Sequence, residues 1–136
     1  MKKQTGIWID TSKAIIVTLD GGKEKIMEIE SDIENRIHHN DEGNKGTFSG
    51  SHHGNNETKL EERKKNQMNH FLKDVLSHVH GSDELFVFGP AETKIELEKK
   101  IKEDKSINNK LKSVETTDSL TSNQIVAKVK DFYNHT

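Results

Sequence analysis

"ELFVFGPAETKIELEKKIKED" (residues 84–104) carries the reading of the fold. "ELFVFG" is an apolar run headed by one glutamate, the pattern of a central strand covered on both faces. Gly89 and Pro90 end that strand, and Pro90 fits the first position of a helix. "AETKIELEKKIKED" then reads as a helix whose thin apolar side is Ala91, Ile95, Leu97 and Ile101. A strand followed by a helix is the first half of a parallel unit, and "LKSVETT" (111–117) supplies the strand that completes it.

The chain on either side follows the same logic. "LTSNQIVAKVKDFY" (120–133) opens with two helix-start signals: Thr121 with Gln124 as a capping box, and Leu120 against Ile125 as a hydrophobic staple. Val126, Val129, Phe132 and Tyr133 are its inward side. Upstream, Met68, Phe71, Leu72, Val75, Leu76 and Val79 recur at spacings of three and four, the apolar stripe of a helix that begins near Thr58. Glu61, Lys64 and Lys65 point the same way as that stripe, and charges there cannot face a dry core. The first two turns of this helix should therefore project beyond the sheet.

At the other end, "TGIWID" (5–10) and "AIIVTLD" (14–20) are paired strands separated by the polar turn "TSK". "DGGK" (20–23) is a hairpin signal, since glycine supplies the positive φ of a tight turn. "KEKIMEIES" (23–31) alternates as a third strand, with Ile26, Glu28 and Glu30 on one face and Lys25, Met27 and Ile29 on the other. "IENRIHH" (33–39) reads as its extension or repeat. Between residues 38 and 57 the only apolar side chain is Phe48, so that stretch cannot offset its ordering entropy and reads as a mobile insertion. Three strands, loop, helix, strand, helix, strand, helix make one α/β domain over residues 1–136, a mixed sheet of about five strands.

Composition narrows the function. The 136 residues fit one domain; 29% are hydrophobic and 32% charged, so the core is small. There is no cysteine, which excludes disulfides and thiolate metal sites. Asp10, Thr11, Ser12 and Lys13 interrupt any signal-peptide core, and no apolar run approaches the ~18 residues a membrane span needs. A cytoplasmic protein with no membrane partner is the expectation. The net charge of -2 argues against a globally basic nucleic-acid binder and leaves room for a local basic patch.

The order of elements, with a loop ahead of a long helix, resembles the middle domain of archaeal and eukaryotic class I peptide-release factors, shared by Pelota and small bacterial relatives. The resemblance is carried by "GIWID", "ETKLEERKKNQMNHFLKDV", "ELFVFGPAETKIELEKKI" and "SVETTDSLTSNQIVAKVKDF", nearly the whole chain. It implies a ribonuclease-H-like layout. In release factors the loop carries Gly-Gly-Gln, which enters the peptidyl transferase centre. Here it reads "SGSHHGNNETKLEERKK", with Gly54 followed by Asn55 and Asn56 and no glutamine. Peptide release is therefore not carried over. The resemblance implies a stand-alone relative that contacts ribosomal or other structured RNA.

The residues offer several sites. Lys59, Arg63, Asn66, His70 and Lys73 line the side of the long helix opposite its stripe, with Lys64 and Lys65 near its start and Lys45 in the loop. Such a row can neutralise successive phosphates. Glu57, Glu61 and Glu62 dilute the field, and a solvated face of helical Glu–Lys pairs stands as the alternative. The loop tip is His52, His53, Gly54, Asn55 and Asn56. His38, His39, His52 and His53 are imidazoles on flexible chain without supporting partners, so no metal site and no cofactor is assigned. Asp10 invites a nuclease reading, but "FVFGP" ends the fourth strand without an acid, and Asp10 is better explained as the opener of the "DTSK" turn. Ser49 and Ser51 lack an orienting group for nucleophilic catalysis. The amides after Gly89 and Pro90 could hold an anion at a helix start, against a plain turn. The favoured expectation is a non-enzymatic, translation-related binding protein. A protein-interaction or regulatory domain without RNA contact is the alternative, and a hydrolase acting through the loop comes third.

Overall fold

The turn at residues 20–23 sets the first half of the sheet. Gly21 and Gly22 take φ of 60° and 90°, the two positive values that a tight hairpin requires. They join β2 (Lys13–Asp20) to β3 (Lys23–Glu30), and β1 (Lys3–Ile9) pairs antiparallel with the other side of β2. The turn between β1 and β2 is held by Asp10, whose Oδ1 accepts from the amides of Ser12 and Lys13 at 2.8 Å each. The computed structural model describes residues 2–31 and 53–134, with only the backbone described for residues 53–61. "IENRIHH" and residues 38–52 of the insertion expected over 38–57 lie outside the described residues, while residues 53–57 are helical rather than part of a loop.

Downstream come α1 (His53–Ser77), β4 (Glu84–Gly89), α2 (Thr93–Glu103), β5 (Leu111–Thr116) and α3 (Ser122–Asn134). The strands form one sheet in the order β3-β2-β1-β4-β5, antiparallel in the hairpin half and parallel from β1 through β4 to β5. This is the mixed five-stranded α/β layout expected from the sequence. Alternation divides the sheet's residues between two cores. Ile7, Ile9, Ala14, Ile16, Leu85 and Val87 meet α1 and α2 on one face. Trp8, Ile15, Val17, Phe86 and Phe88 meet α3 on the other. β4 is covered on both sides, which is why "LFVF" has no polar residue.

α3 starts as its sequence dictates. Thr121 N donates to Gln124 Oε1 at 2.9 Å and Gln124 N to Thr121 Oγ1 at 3.2 Å, a reciprocal capping box. Leu120 packs on the same cluster as Ile125, as a staple requires. At the helix end Tyr133 donates its hydroxyl to the Thr5 carbonyl at 2.7 Å, and burial together with the charge of Glu84 pushes the phenol pKa up.

Two local expectations need correction. α1 begins at His53, ahead of Thr58, so His53, Gly54, Asn55 and Asn56 lie in its first turns. α2 begins at Thr93 rather than Pro90, with Glu92 as a cap residue that makes no side-chain cap bond. The cause lies in the turn before it. Gly89 takes φ 150°, where a Cβ would stand 2.3 Å from the Ile9 carbonyl oxygen, and Ala91 takes φ 56°, in the left-handed region. That geometry cannot be helical from Pro90 onward. The inward side of α2 is consequently Thr93, Lys94, Leu97 and Ile101; Ala91 is exposed and Ile95 points outward. Lys94, only 5% exposed, donates its Nζ to the Ala91 carbonyl and so steadies the strained turn. On β3, the outer strand of the sheet, Ile29 is buried, while Ile26 is 51% and Met27 38% exposed.

Candidate functional site

α1 has 25 residues, about 37 Å at 1.5 Å per residue. Among the described side chains its apolar stripe reaches the core only in its C-terminal part: Phe71, Leu72, Val75 and Leu76 are buried, followed by Val79. Met68 is partly buried against the same cluster. From Glu62 to Asn66 every side chain is exposed. Five consecutive helical residues cover more than a full turn, so among the described residues no side of the helix is buried there. The projecting helix expected from the sequence is present.

On this helix the structure brings together most of the expected cations. Arg63, Lys64, Lys65, His70 and Lys73 are all exposed. By the 100° step of a helix, Arg63, His70 and Lys73 fall on the side away from the stripe, while Lys64 and Lys65 fall on the stripe side beyond the sheet. Among the described residues, none of Arg63, Lys64, Lys65 and Lys73 comes within ion-pair distance of a carboxylate, unlike many lysines elsewhere. Lys128 meets Glu115 at 3.1 Å, Lys102 meets Glu98 at 3.0 Å, and Lys130 meets Glu24 at 2.5 Å. Glu62 and Asp74 are the described acids of the helix, and Asp74 is turned toward His78, its Oδ1 3.8 Å from Nδ1. Lys59 is described in backbone alone; Lys45 and His52 lie outside the described residues.

The remaining sequence candidates find structural roles or fall outside. Asp10 is engaged in its turn, as expected. Ser49, Ser51, His38 and His39 lie outside the described residues. Among the described residues no group of three or more His, Asp or Glu side chains converges as metal ligands would. The amides after Pro90 do not open a helix, since α2 starts at Thr93. Elsewhere, Asp104 is held down to a pKa of about 2, first by the Ser106 hydroxyl and next by His80, whose Nε2 stands 2.7 Å from Oδ2. This cluster ties the connection after α1 to the end of α2. Glu84 is also lowered, chiefly by the Gln4 amide at 2.7 Å and then by Lys112 and Lys2, against the opposing effect of burial.

The sequence reading missed Lys3, Lys23 and Lys25. Lys3 is far from the other two in the chain, and only the hairpin register places all three around one concavity with His78 and Ser82.

No protein-family model matches this chain, and no curated protein matches it. Solved structures do. Pelota from Archaeoglobus fulgidus aligns over 95% of this chain with a TM-score of 0.55 and 14% identity. The archaeal translation termination factor aRF1 aligns over 94% with a TM-score of 0.52 and 16% identity. The fold is that of a domain in Pelota and aRF1. The chain spans 31% and 34% of the lengths of those two proteins, so the likeness concerns one part of each. Among the described residues no helix is long and apolar enough to cross a membrane.

Proposed function

We propose that this protein is a non-enzymatic, translation-related binding module, a counterpart of the release-factor middle domain, that contacts ribosomal or other structured RNA through the start of α1. The observation that carries this reading is the all-round exposure of Glu62 to Asn66 with Arg63, Lys64 and Lys65 unmatched by acids among the described residues. Cations held on a helix without an ion-pair partner among the described residues are available to neutralise phosphates and release counterions. Their placement away from the body lets them enter a groove that the sheet itself could not approach. The likeness to Pelota and aRF1 supports a translational setting, and a cytoplasmic location is part of this reading. The chain's own "SGSHHGNN" offers no glutamine to position a water, which supports binding without peptide release.

The test is co-sedimentation with ribosomes across a salt series. The K59A/R63A/K64A/K65A variant should lose affinity and flatten the salt slope by roughly one unit per phosphate contact removed. If the variant sediments with ribosomes as the parent does at low salt, the reading fails. Binding that is retained but independent of salt would favour a protein-interaction domain instead.

A further inference from the structure

The outer half of the hairpin and the α1–β4 connection enclose a cleft of about 330 Å³, at the small end of the range for ligand pockets. The cleft has a definite chemistry. Ile16 and Met27, cross-strand partners in the β2–β3 register, supply an apolar floor. Thr18 and Ser82 add hydroxyls, and Lys3, Lys23 and Lys25 stand around them with Asp20 as the one acid in the lining. Three lysines against one aspartate give a local excess of positive charge in a chain whose net charge is -2. None of these lysines comes within ion-pair distance of a carboxylate among the described residues. The nearby acids are otherwise engaged: Asp83 Oδ2 accepts from the Lys3 amide at 2.7 Å, and Asp74 faces His78. Across the strand, Glu24 faces away and pairs with Lys130.

The walls are held in place. Asp83 N donates to the Lys3 carbonyl at 2.8 Å, and Thr5 Oγ1 meets Ser82 Oγ at 2.6 Å, which ties the connection to β1. His78 donates its Nδ1–H to the Asp74 carbonyl at 2.8 Å, leaving Nε2 as the nitrogen without a partner in that bond. The opposite wall is the β2–β3 ladder, paired without interruption from Lys13↔Glu30 to Asp20↔Lys23.

We infer that this cleft binds a nucleotide, with the base against Ile16 and Met27 and the phosphates among Lys3, Lys23 and Lys25. The thioether of Met27 suits contact with an aromatic ring, and lysines that lack internal partners suit phosphate oxygens. The nucleotide is either free or one unit of an RNA strand; both present the same ring and phosphate. The inference is independent of the role proposed for α1, since it uses none of the cations on that helix.

The experiment is a series of titrations of the isotope-labelled full chain followed by amide chemical shifts. The probes are ADP, pyrophosphate, adenosine and a short oligouridylate. ADP should move the amides of Thr18, Lys25, Met27, Gly81 and Ser82 and leave Glu62 to Asn66 in place. K23A/K25A should weaken ADP by at least about tenfold, as expected for lost charge-assisted bonds. Met27→Ala should weaken ADP several-fold and leave pyrophosphate unchanged, a split that a charge effect alone would not produce. Tighter binding of oligouridylate than of ADP at these amides assigns the source to an RNA strand, and the reverse order assigns it to a free nucleotide. The inference is overturned if ADP at millimolar concentration moves none of these amides, if K23A/K25A binds it as the parent does, or if ADP binds no tighter than pyrophosphate. The K59A/R63A/K64A/K65A variant should leave the ADP shifts intact, which separates this test from the ribosome experiment.

Discussion

Lys65 and Leu72 sit two turns apart on the same side of one helix, and their surroundings are opposite. Leu72 is 1% exposed, packed between α1 and the sheet. Lys65 continues the same stripe and stands in water. The periodicity of α1 does not change between them; what changes is whether the sheet extends far enough to meet the helix. The sequence marks that limit by replacing apolar residues with charges at stripe positions. A helix face therefore reports its neighbour as well as its own amphipathicity.

The first way to break this comparison is to truncate each residue. Leu72→Ala should cost about 2–5 kcal/mol through a core cavity, whereas Lys65→Ala should stay within about 0.5 kcal/mol; urea unfolding of both variants measures the difference. A similar cost at Lys65 would mean that the stripe is packed there too. Hydrogen exchange sharpens the same contrast without mutation. Amides of residues 62–66 should exchange at least about a hundredfold faster than those of 71–77, because opening the exposed turns uncovers little apolar surface. Equal protection would make the two halves one cooperative unit.

The body has its own gradations. Thr121→Ala removes the Oγ1 that accepts from the Gln124 amide at the start of α3, and should lower stability by about 1 kcal/mol. The smallest effect belongs to Asp104. Its folded pKa of about 2 lies below the usual 3.8, so its contribution is present above about pH 4 and is lost as pH falls through 2. Asp104→Asn should therefore melt slightly below the parent near neutral pH, and the gap should close on acidification. A gap that persists unchanged at low pH would assign the effect to Ser106 packing rather than to the charge.

Much of the architecture was legible because local signals agreed with tertiary demands. The glycine pair at the hairpin, the capping box at Thr121, the doubly covered β4 and the stripe of α1 each have a cause within a few residues. Pro90 misled for a tertiary reason. Its suitability for a first helical turn was overruled by the approach of Gly89 to the Ile9 backbone, which forces the next turn to close before the helix begins. Met27 was placed correctly on the face of Ile29, yet its exposure depends on how far α1 reaches. Of the candidate site, Arg63, Lys64, Lys65, His70 and Lys73 could be placed by angle alone. That they make no ion pair with an acid among the described residues of other elements required coordinates. Lys3, Lys23 and Lys25 could not be grouped without the strand register.

Trp8 is the only tryptophan of the chain, 2% exposed in the core beneath α3. Its indole is thus a built-in optical gauge of one layer of the molecule, since the α1 cations and the lysine-lined cleft belong to the opposite side. Emission from it should follow the loss of α3 packing and stay flat while ligands occupy either place. A fluorescence change during such a titration would report rearrangement of the interior, and its absence would leave the bound ligand to be detected by other means.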